Sequence, residues 1–442
     1  MADQPNVLFV LTDQYRAHAL GCMGNDQVDT PNLDRIAAEG ITFENAYSSN
    51  PVCSPARGSI QTGCYSHRHR VIGNTYKQMD LPMEFDTLGE CMHEAGYRTG
   101  YIGKWHLDGT HDEAEAFVPP ERRRGYEYWH GFDRGHAHMK GHPVFEDGEK
   151  RWEEGYQPAI QTDLALDFLG ADDSSPFFLF LSWGPPHNPW EAPEEYHDRY
   201  DAADLDLRPN VPDDAAEEAR ETLADYYASI TALDDQVGRL LDALDEHGLA
   251  DETVVLFTAD HGEFMGSHGR YGKGSPLEES SNVPLLVRYP RAVDAGERTD
   301  ACTNLNDLMP TVLSLCDVPI PEAVQGRDLS GVLRGESGPR PTSTYLQGDL
   351  AGDSEWRAVR TERYLFAVDR DLGCRYLFDM DEDPYQRENL AADPGDAPME
   401  ELQEALVEYA LRFDDRAIKR QASYDFGESV LKFEFDHGRV RV

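Results

Sequence analysis

The amino-acid sequence predicts an α/β fold, with a large, mostly parallel sheet flanked by helices on both faces. Two observations predict it: short apolar segments with no polar face recur along the chain, and segments of helical periodicity separate them. Central parallel strands are buried on both faces and are therefore apolar throughout. Strands that alternate with helices are typical of a doubly wound sheet.

Six apolar segments are predicted to be strands of this sheet. In chain order they are NVLFVLT (6–12), ITFENAY (41–47), YRTGYIG (97–103), FFLFLSW (177–183), TVVLFT (253–258) and VPLLVRY (283–289). Their lengths fit strands better than helices, because a buried helix usually needs ten residues or more.

Three of the intervening helices have recognisable ends. One runs from Thr30-Pro31 to Gly40, one begins at Thr87 with Glu90 in a capping box and stops near Gly96, and one runs from about Asp214 to His247 with Gly248 as its stop signal. These residue types satisfy or tolerate the unpaired backbone groups at helix ends.

The chain changes character near residue 340. The segments STYLQG, EWRAVRT, RYLFAV and CRYLFDM are short, aromatic and closely spaced, which predicts a small antiparallel sheet, and a helical pattern follows near 398–414. Glycine and proline in RGESGPRP (334–341) suit a linker. We therefore predict a large domain over 1–340 and an α+β subdomain over 341–442.

Acidic side chains dominate the composition. The chain has 40 Lys and Arg residues against 83 Asp and Glu residues, so its formal net charge at pH 7 is −43. Such a charge repels phosphates and argues against nucleic acid or an anionic membrane as a partner. Only seven lysines occur, and this acidic, lysine-poor composition is similar to that of proteins from salt-loving, haloarchaeal organisms.

The sequence gives no sign of secretion or of a membrane span. No segment approaches the ~20 apolar residues that a bilayer requires, and the first residues lack the basic start of a signal peptide. Seven cysteines without metal-type spacing argue against a disulfide framework. We expect a cytoplasmic protein, and its oligomeric state is not predicted.

Polar residues follow four of the predicted strands. They are Asp13-Gln14, Lys104-Trp105-His106, His187 and Asp260-His261. Because ligands bind beyond the carboxyl ends of the strands in open α/β sheets, these side chains are expected to share one crevice.

A cysteine stands before a predicted helix in NPVCSPARGSIQTG (50–63). Ser54 is predicted to be the N-cap, with Pro55 at the first helical position and Gly63 at the end. Cys53 would then lie at the positive pole of the helix, which lowers the pKa of a thiol and favours a bound anion. The sequence therefore predicts a site for negative charge.

The segment Cys53-Ser54-Pro55-Ala56-Arg57 resembles the signature Cys-x-Pro-x-Arg of the type I sulfatases, which belong to the alkaline phosphatase superfamily. The resemblance extends in the same order over most of the chain, through TPNLDRIAAEGITFENAY, YRTGYIGKWHL, PPHNPW, TADHGEFMGSHGRYGKGSPLEESSNVPLLVRYP and LFDMDEDPYQRENLA. It implies an alkaline-phosphatase-like fold and a sulfuric ester hydrolase.

In that family a maturation enzyme converts the signature cysteine to formylglycine, and the resemblance implies the same for Cys53. The aldehyde hydrates to a diol, one hydroxyl attacks sulfur, and the other then expels sulfate. The implied metal ligands are Asp13, Gln14, Cys53, Asp260 and His261. Mostly oxygen donors favour Ca²⁺, with Mg²⁺ as the alternative.

The other implied catalytic residues divide by the part of the substrate they face. Arg57 and Lys104 hold the diol and neighbouring charge, and His106 assists deprotonation of the diol or the later elimination. His187 and Lys273 face the ester oxygen, where one of them stabilises the leaving alkoxide. The implied substrate is a small-molecule or carbohydrate sulfate ester. Lys273 is also the only lysine between residues 151 and 418, and a compact amine suits proton donation.

Some positions depart from the common family pattern. Gln14 and His261 stand where many relatives have aspartate and asparagine, which leaves the identity of the metal open. His261 has an alternative role, that of orienting Asp260. Cys64 and Ser66 also differ, and we interpret that difference as variation on the substrate side.

Several alternatives stay open on the sequence alone. Related enzymes cleave phosphonate monoesters or phosphodiesters with the same nucleophile, and a catalytically silent relative would bind sulfated glycans. Structural alternatives exist for site residues too: a core role for Cys53, His106 or His187, a turn cap for Asp13, a surface charge for Arg57. Aromatic residues that either stack on a substrate or belong to the core are Trp105, Trp129 and Trp190. Histidines interpreted as surface or loop residues without a role are His67, His69, His136 and His138.

Overall fold

A computed structural model describes residues 4–74, 79–109, 113–146, 149–171, 175–350, 352–417, 434–436 and 439–441. The strands are β1 (Asn6–Thr12), β2 (Ile41–Phe43), β3 (Ala46–Tyr47), β4 (Arg98–Lys104), β5 (Tyr128–Phe132), β6 (His142–Glu146), β7 (Glu149–Glu153), β8 (Phe177–Ser182), β9 (Thr253–Ala259), β10 (Leu285–Arg288), β11 (Glu297–Thr299), β12 (Thr303–Asn304), β13 (Ser343–Gly348), β14 (Trp356–Thr361), β15 (Tyr364–Asp369), β16 (Cys374–Asp379), β17 (Glu434–Asp436) and β18 (Arg439–Arg441). The helices are α1 (Pro31–Glu39), α2 (Cys53–Thr62), α3 (Ser66–His69), α4 (Leu88–Glu94), α5 (Gln157–Leu169), α6 (Glu194–His197), α7 (Ala216–Glu246), α8 (Glu278–Ser281), α9 (Leu308–Leu315), α10 (Ser330–Leu333) and α11 (Met399–Arg412).

An eight-stranded sheet in the order β11-β2-β10-β9-β1-β8-β4-β5 forms the centre of the molecule. Strands β9, β1, β8, β4 and β5 are parallel, so their carboxyl ends lie along one edge. All seven residues of β1 are buried, and Phe9 stacks on Phe180 of β8 with ring centroids 4.5 Å apart. The predicted α/β class is confirmed.

Two of the predicted strands differ in detail. The segment VPLLVRY forms β10, which runs antiparallel to both β9 and β2. The apolar character of this segment indicates that the strand is buried on both faces. It does not indicate whether the strand runs parallel or antiparallel to its neighbours. The segment ITFENAY is divided into β2 and β3, because Glu44 and Asn45 leave the large sheet and β3 pairs with β12 instead.

Helices cover the sheet in two groups. The long helix α7 packs against α1, α5 and α6, whereas α2, α4 and α9 pack on one another. The predicted helices near 30–40, 87–96 and 214–247 are confirmed as α1, α4 and α7, and Thr87 and Glu90 form the predicted capping box. Among the described residues, no helix combines the length and apolar character that crossing a bilayer requires.

The C-terminal part contains a four-stranded antiparallel sheet, β13-β14-β15-β16, with α11 packed beside it. One of its apolar clusters includes Tyr345, Phe366 and Leu406. A second cluster joins Trp356 and Leu365 of the small sheet to Tyr47, Phe264 and Leu277. The small sheet and the terminal helix are confirmed, and the division of the chain at residue 340 stays a prediction.

Candidate active site

The carboxyl edge of the large sheet collects the polar residues that follow its strands. Asp13 follows β1 directly, and Asp260 follows the neighbouring β9, where its backbone N–H donates to the carbonyl of Thr12 at 3.1 Å. Lys104 is the last residue of β4, and His187 lies in the loop after β8. Adjacent parallel strands thus deliver these side chains to one place.

Helix α2 brings Cys53 to the same place. The helix begins at Cys53, one residue before the predicted N-cap Ser54, and Val52 is the observed N-cap. Ser54 does not cap the helix, since its own backbone N–H lies in the first turn and donates to Oδ1 of Asn74 at 3.3 Å. Cys53 is therefore the first helical residue, and it lies at the positive end of the helix dipole as expected.

Four buried side chains surround one point at this edge. The ligand atoms of Asp13, Cys53, Asp260 and His261 all lie within 4.8 Å of one another, and each residue is at most 1% exposed. Sγ of Cys53 is 3.2 Å from Nε2 of His261 and 3.7 Å from Oδ1 of Asp13. This group is a candidate metal site.

The donor set fits a divalent cation. Nδ1 of His261 is 2.9 Å from the carbonyl of Gly262, an acceptor, so in the neutral ring Nδ1 carries the proton and Nε2 presents its lone pair to the cluster. Two carboxylates add hard oxygen donors, as Ca²⁺ or Mg²⁺ requires.

Arg57 joins the two carboxylates. Its Nε donates to Oδ2 of Asp260 at 2.9 Å, and a terminal nitrogen donates to Oδ2 of Asp13 at 3.2 Å. The other terminal nitrogen donates to the carbonyl of Lys104 and to Oγ of Ser182. Because Arg57 is one turn along α2 from Cys53, the helix, the carboxylates and two strand ends are held together by one side chain.

Two lysines, one at the end of β4 and one in the loop after β9, enter the site. Nζ of Lys104 donates to Oδ2 of Asp13 at 2.6 Å, and both side chains are fully buried. Nζ of Lys273 lies 3.4 Å from Sγ of Cys53 and donates to Oε1 of Gln14 at 2.6 Å. Both lysines therefore contact the candidate metal site or its cysteine.

These positive charges change the protonation of their neighbours. Burial alone would raise the pKa of Asp13, but the charges of Lys104, Arg57 and Lys273 hold that pKa well below its usual value. The pKa of Cys53 is also lowered, because Lys104 and Lys273 outweigh burial and the charge of Asp13. The positive side chains around the site therefore favour negatively charged groups within it.

The two predicted catalytic histidines lie beside this centre. Burial, together with the charges of Lys104 and Arg57, lowers the pKa of His106 well below its usual value. Burial likewise lowers the pKa of His187, whose Nδ1 is 2.6 Å from the carbonyl of Asn188. Both imidazoles are therefore neutral, and the Nδ1–H of His187 donates to that carbonyl.

Three contributing residues had no signal in the sequence analysis. Ser182 accepts from Arg57, Glu263 accepts from the amide of Gln14, and the ring of His136 stacks on that of His187 with centroids 3.7 Å apart and planes at 6°. Ser182 ends β8 and Glu263 lies two residues after His261, whereas His136 lies in the loop after β5, and only the tertiary contacts distinguish these three residues.

Several aromatic and histidine predictions are settled by burial. Trp105 is 1% exposed and belongs to the main core, and Trp129 packs against it with ring centroids 5.7 Å apart. Trp190 is half-buried against the same core. The interpretation of His69 as a surface or loop residue is wrong, because it is fully buried in α3 with Nε2 3.2 Å from Oγ of Ser59.

A cavity of about 1060 Å³ lies between the small sheet and the segment after α2. Five arginines and five carboxylates line it, in a chain whose net charge is −43. Trp356 is part of its wall and donates its Nε1–H to the carbonyl of Gly274 at 3.2 Å, one residue from Lys273. A wall residue of the cavity thus contacts the loop that carries Lys273, and Cys53 does not line the cavity.

Comparison with known proteins gives consistent matches. The sulfatase family model matches residues 5–318, and the model described as N-sulphoglucosamine sulphohydrolase, C-terminal, matches residues 266–412. The ulvan-active sulfatase of Formosa agariphila is 34% identical over 463 aligned residues, covering 99% of this chain and 89% of the relative. The endo-4-O-sulfatase of Bacteroides thetaiotaomicron is 31% identical, covering 94% and 93%. The structure of the sulfatase candidate yidJ from Bacteroides fragilis has a TM-score of 0.88 and 31% identity, covering 94% of this chain and 97% of that chain.

Proposed function

Because this chain belongs to the sulfatase family, it is a sulfuric ester hydrolase, and we propose that it acts through a formylglycine made from Cys53 and a divalent cation bound beside it. The observation that carries the proposal is the environment of Cys53. Its Sγ lies at a helix N-terminus, within 3.4 Å of both His261 Nε2 and Lys273 Nζ. A purely structural cysteine has no need of such surroundings.

The proposed cation ligands are Asp13, Gln14, Asp260 and His261, together with the modified Cys53. When bound, the cation polarises the sulfuryl oxygens, and the hydrated aldehyde supplies the nucleophilic hydroxyl. Ca²⁺ is the proposed ion, since two carboxylates and an amide oxygen suit a hard cation, and Mg²⁺ is the alternative.

The remaining side chains bind charge and move protons. Arg57 fixes the two carboxylates, and Lys104 and Lys273 offer fixed positive charge where the sulfuryl group gains negative charge. His106 is proposed to take a proton from the nucleophile or to assist the later elimination. His187 and Lys273 are proposed to stabilise the leaving oxygen, by a proton or by charge.

We propose a sulfated carbohydrate as the substrate class. The names of the two relatives support it, since one acts on ulvan and the other is an endo-4-O-sulfatase. The volume of the cavity, about 1060 Å³, also leaves room for an oligosaccharide longer than one sugar, and its five arginines are matched by five carboxylates. Small aryl or alkyl sulfates would leave that cavity unused.

The first test is the mass of the tryptic peptide that contains Cys53, from protein produced together with a formylglycine-generating enzyme. We expect an aldehyde at Cys53 and an intact thiol at Cys64, which cleavage after Arg57 places on a separate peptide. An intact thiol at both positions in an active preparation would rule out the proposed nucleophile.

The second test compares kcat/KM for matched 4-nitrophenyl sulfate and phosphonate esters, and for sulfated oligosaccharides of increasing length. We expect the sulfate ester to be preferred, longer oligosaccharides to be better substrates, and Cys53→Ala to lower kcat/KM by at least about 10³-fold. A large preference for the phosphonate ester would instead support the phosphonate hydrolase alternative.

A further inference from the structure

The side-chain amide of Gln14 lies between two charged groups. On one side Nζ of Lys273 donates to its Oε1 at 2.6 Å, and on the other its Nε2 donates to Oε2 of Glu263. The backbone N–H of Gln14 also donates to Oδ1 of Asp260 at 3.1 Å. Gln14 is therefore tied to both the cysteine side and the carboxylate side of the candidate metal site.

The two neighbours determine which way the amide points. A lysine ammonium can only donate, so it requires the amide oxygen, and the amide nitrogen is then left to donate to Oε2 of Glu263. The reversed amide would set N–H groups against the ammonium and oxygen against carboxylate. The contacts thus assign the amide orientation on chemical grounds.

Glu263 is itself held in place by backbone groups. Its Oε1 accepts from the N–H of Gly272 at 2.5 Å and from that of Met265 at 3.2 Å, and the residue is 1% exposed. Its Oε2 faces Gln14. Glu263 follows His261 by two residues in the loop after β9, so the loop that carries two proposed metal ligands also carries this acceptor.

We propose that Glu263 is a positioning residue that holds the amide oxygen of Gln14 on the side of Lys273 and Cys53, where the cation is proposed to bind. The inference rests on the proposed function and deepens it, because it explains how a neutral side chain serves at position 14. Only the amide oxygen can coordinate a cation, whereas the amide nitrogen would present hydrogens to it. Without Glu263, the amide keeps its contact with Lys273, but its Nε2 keeps only the longer contact of 3.5 Å with Oδ1 of Asn188, so the side chain is held less firmly.

The pair also accounts for the charge at position 14. An aspartate there would place its carboxylate against that of Glu263 in a buried environment, where two like charges repel strongly. Glutamine at position 14 avoids this repulsion. The negative charge is then on Glu263, one side chain further from the proposed cation. The identities of residues 14 and 263 are therefore coupled.

The test measures Ca²⁺ affinity of the metal-free protein by isothermal titration, with the Ca²⁺-induced shift of the unfolding midpoint as a second readout. We expect Glu263→Met to weaken Ca²⁺ binding about 10- to 100-fold, as loss of a partner behind a metal ligand generally does. Gln14→Asp alone is expected to weaken binding as well. The double variant Gln14→Asp/Glu263→Gln is expected to return within about 3-fold of wild type, since the new amide can donate to the new carboxylate.

Glu278→Gln is the matched control. Glu278 is a buried glutamate that accepts from Nε of Arg360 at 2.9 Å, outside the candidate site, and its substitution is expected to leave Ca²⁺ affinity unchanged. Wild-type affinity in Glu263→Met would overturn the inference, as would a double variant no better than Gln14→Asp. If Glu263→Met fails to fold, the comparison of Gln14→Asp with the double variant decides. Absence of Ca²⁺ binding or of an aldehyde in the wild type would instead contradict the proposed function itself.

Discussion

Arg57 is the residue through which the buried charges of the site are balanced. Asp13 and Asp260 are both fully buried, and each accepts from a different nitrogen of the same guanidinium. A buried charge without a partner is costly, so removal of Arg57 weakens the pairing of both carboxylates at once, and Asp13 then depends on Lys104 alone for a direct lysine or arginine contact among the described residues. The planar fork of arginine, and not its charge alone, makes the double contact possible.

We therefore expect Arg57→Lys to lower the free energy of unfolding of the metal-free protein by about 3 kcal/mol, measured by urea titration. Lysine keeps the charge but cannot reach both carboxylates. Arg35→Lys serves as the control, because Arg35 is 30% exposed and contacts Glu39 and Asp245 at the surface. Arg35→Lys is expected to lower the free energy of unfolding by less than about 1 kcal/mol. Similar decreases in the two variants would contradict the prediction.

His136 is expected to affect the reaction through His187. The two rings are parallel with centroids 3.7 Å apart, so His136→Ala removes the surface that limits rotation of His187, whereas His136→Phe retains it. If His187 serves the leaving oxygen, His136→Ala should lower kcat/KM about 10-fold more for sugar or alkyl sulfates than for 4-nitrophenyl sulfate, which needs little help to leave. Equal losses on both substrate types, or the same loss in His136→Phe, would contradict this role.

At the level of elements, the segment that follows α11 is joined to the small sheet by a buried ion pair. Arg357 of β14 donates to both carboxylate oxygens of Asp415, at 2.6 and 3.1 Å, and Tyr345 donates to the same group at 2.9 Å. Burial would raise the pKa of Asp415, but the Arg357 guanidinium lowers it below its usual value. The stability that this ion pair contributes therefore depends on pH.

The sign of this dependence follows from the lowered pKa. The stabilisation is complete above the unfolded-state pKa of about 3.9 and is lost as the pH falls through the lower folded-state value. We expect Asp415→Asn to lower the unfolding free energy by about 3 kcal/mol at pH 7, and the difference from wild type to shrink below about pH 4. Glu84→Gln, at an exposed pair with Arg70, should show little difference at any pH. A difference in unfolding free energy between wild type and Asp415→Asn that stays constant down to pH 3 would contradict the prediction.

Local patterns in the sequence predict most of the elements that place the site. The capping box of α4, the ends of α1 and the apolar runs of β1, β8 and β9 are all encoded within about ten residues. The direction of β10 is not, because it depends on which strands lie beside it. The start of α2 differs from the prediction by one residue, since Val52 is the N-cap, and the backbone N–H of Ser54 donates to Asn74, twenty residues away, a contact that the local sequence does not indicate.

The same division applies to the candidate site. Asp13, Lys104 and Asp260 could be predicted because each ends a recognisable strand. Glu263 could not, because its partner Gln14 is 249 residues away and nothing in the residues around it indicates that contact. His136 is separated from His187 by a hairpin and a helix, so its role depends entirely on tertiary packing.

Across the whole molecule, negative charge is distributed far beyond the site. On α7, Glu217, Glu221 and Asp225 are all exposed and spaced four residues apart, so like charges meet on successive turns. Each such pair opposes helix formation by about 0.2 to 0.5 kcal/mol. Repeated over a chain of net charge −43, this repulsion opposes the folded state and weakens as salt is added.

We therefore expect the free energy of unfolding to rise by more than about 1 kcal/mol between about 0.1 M and 2 M KCl, measured by urea titration at constant pH. Most of the gain should occur below about 1 M, because the Debye length falls from about 10 Å to about 3 Å over that range and changes little afterwards. Sucrose is the control, since it strengthens apolar burial without screening charge and should stabilise in proportion to its concentration. A flat response to KCl, or one as linear as that to sucrose, would show that charge repulsion does not limit the stability of this chain.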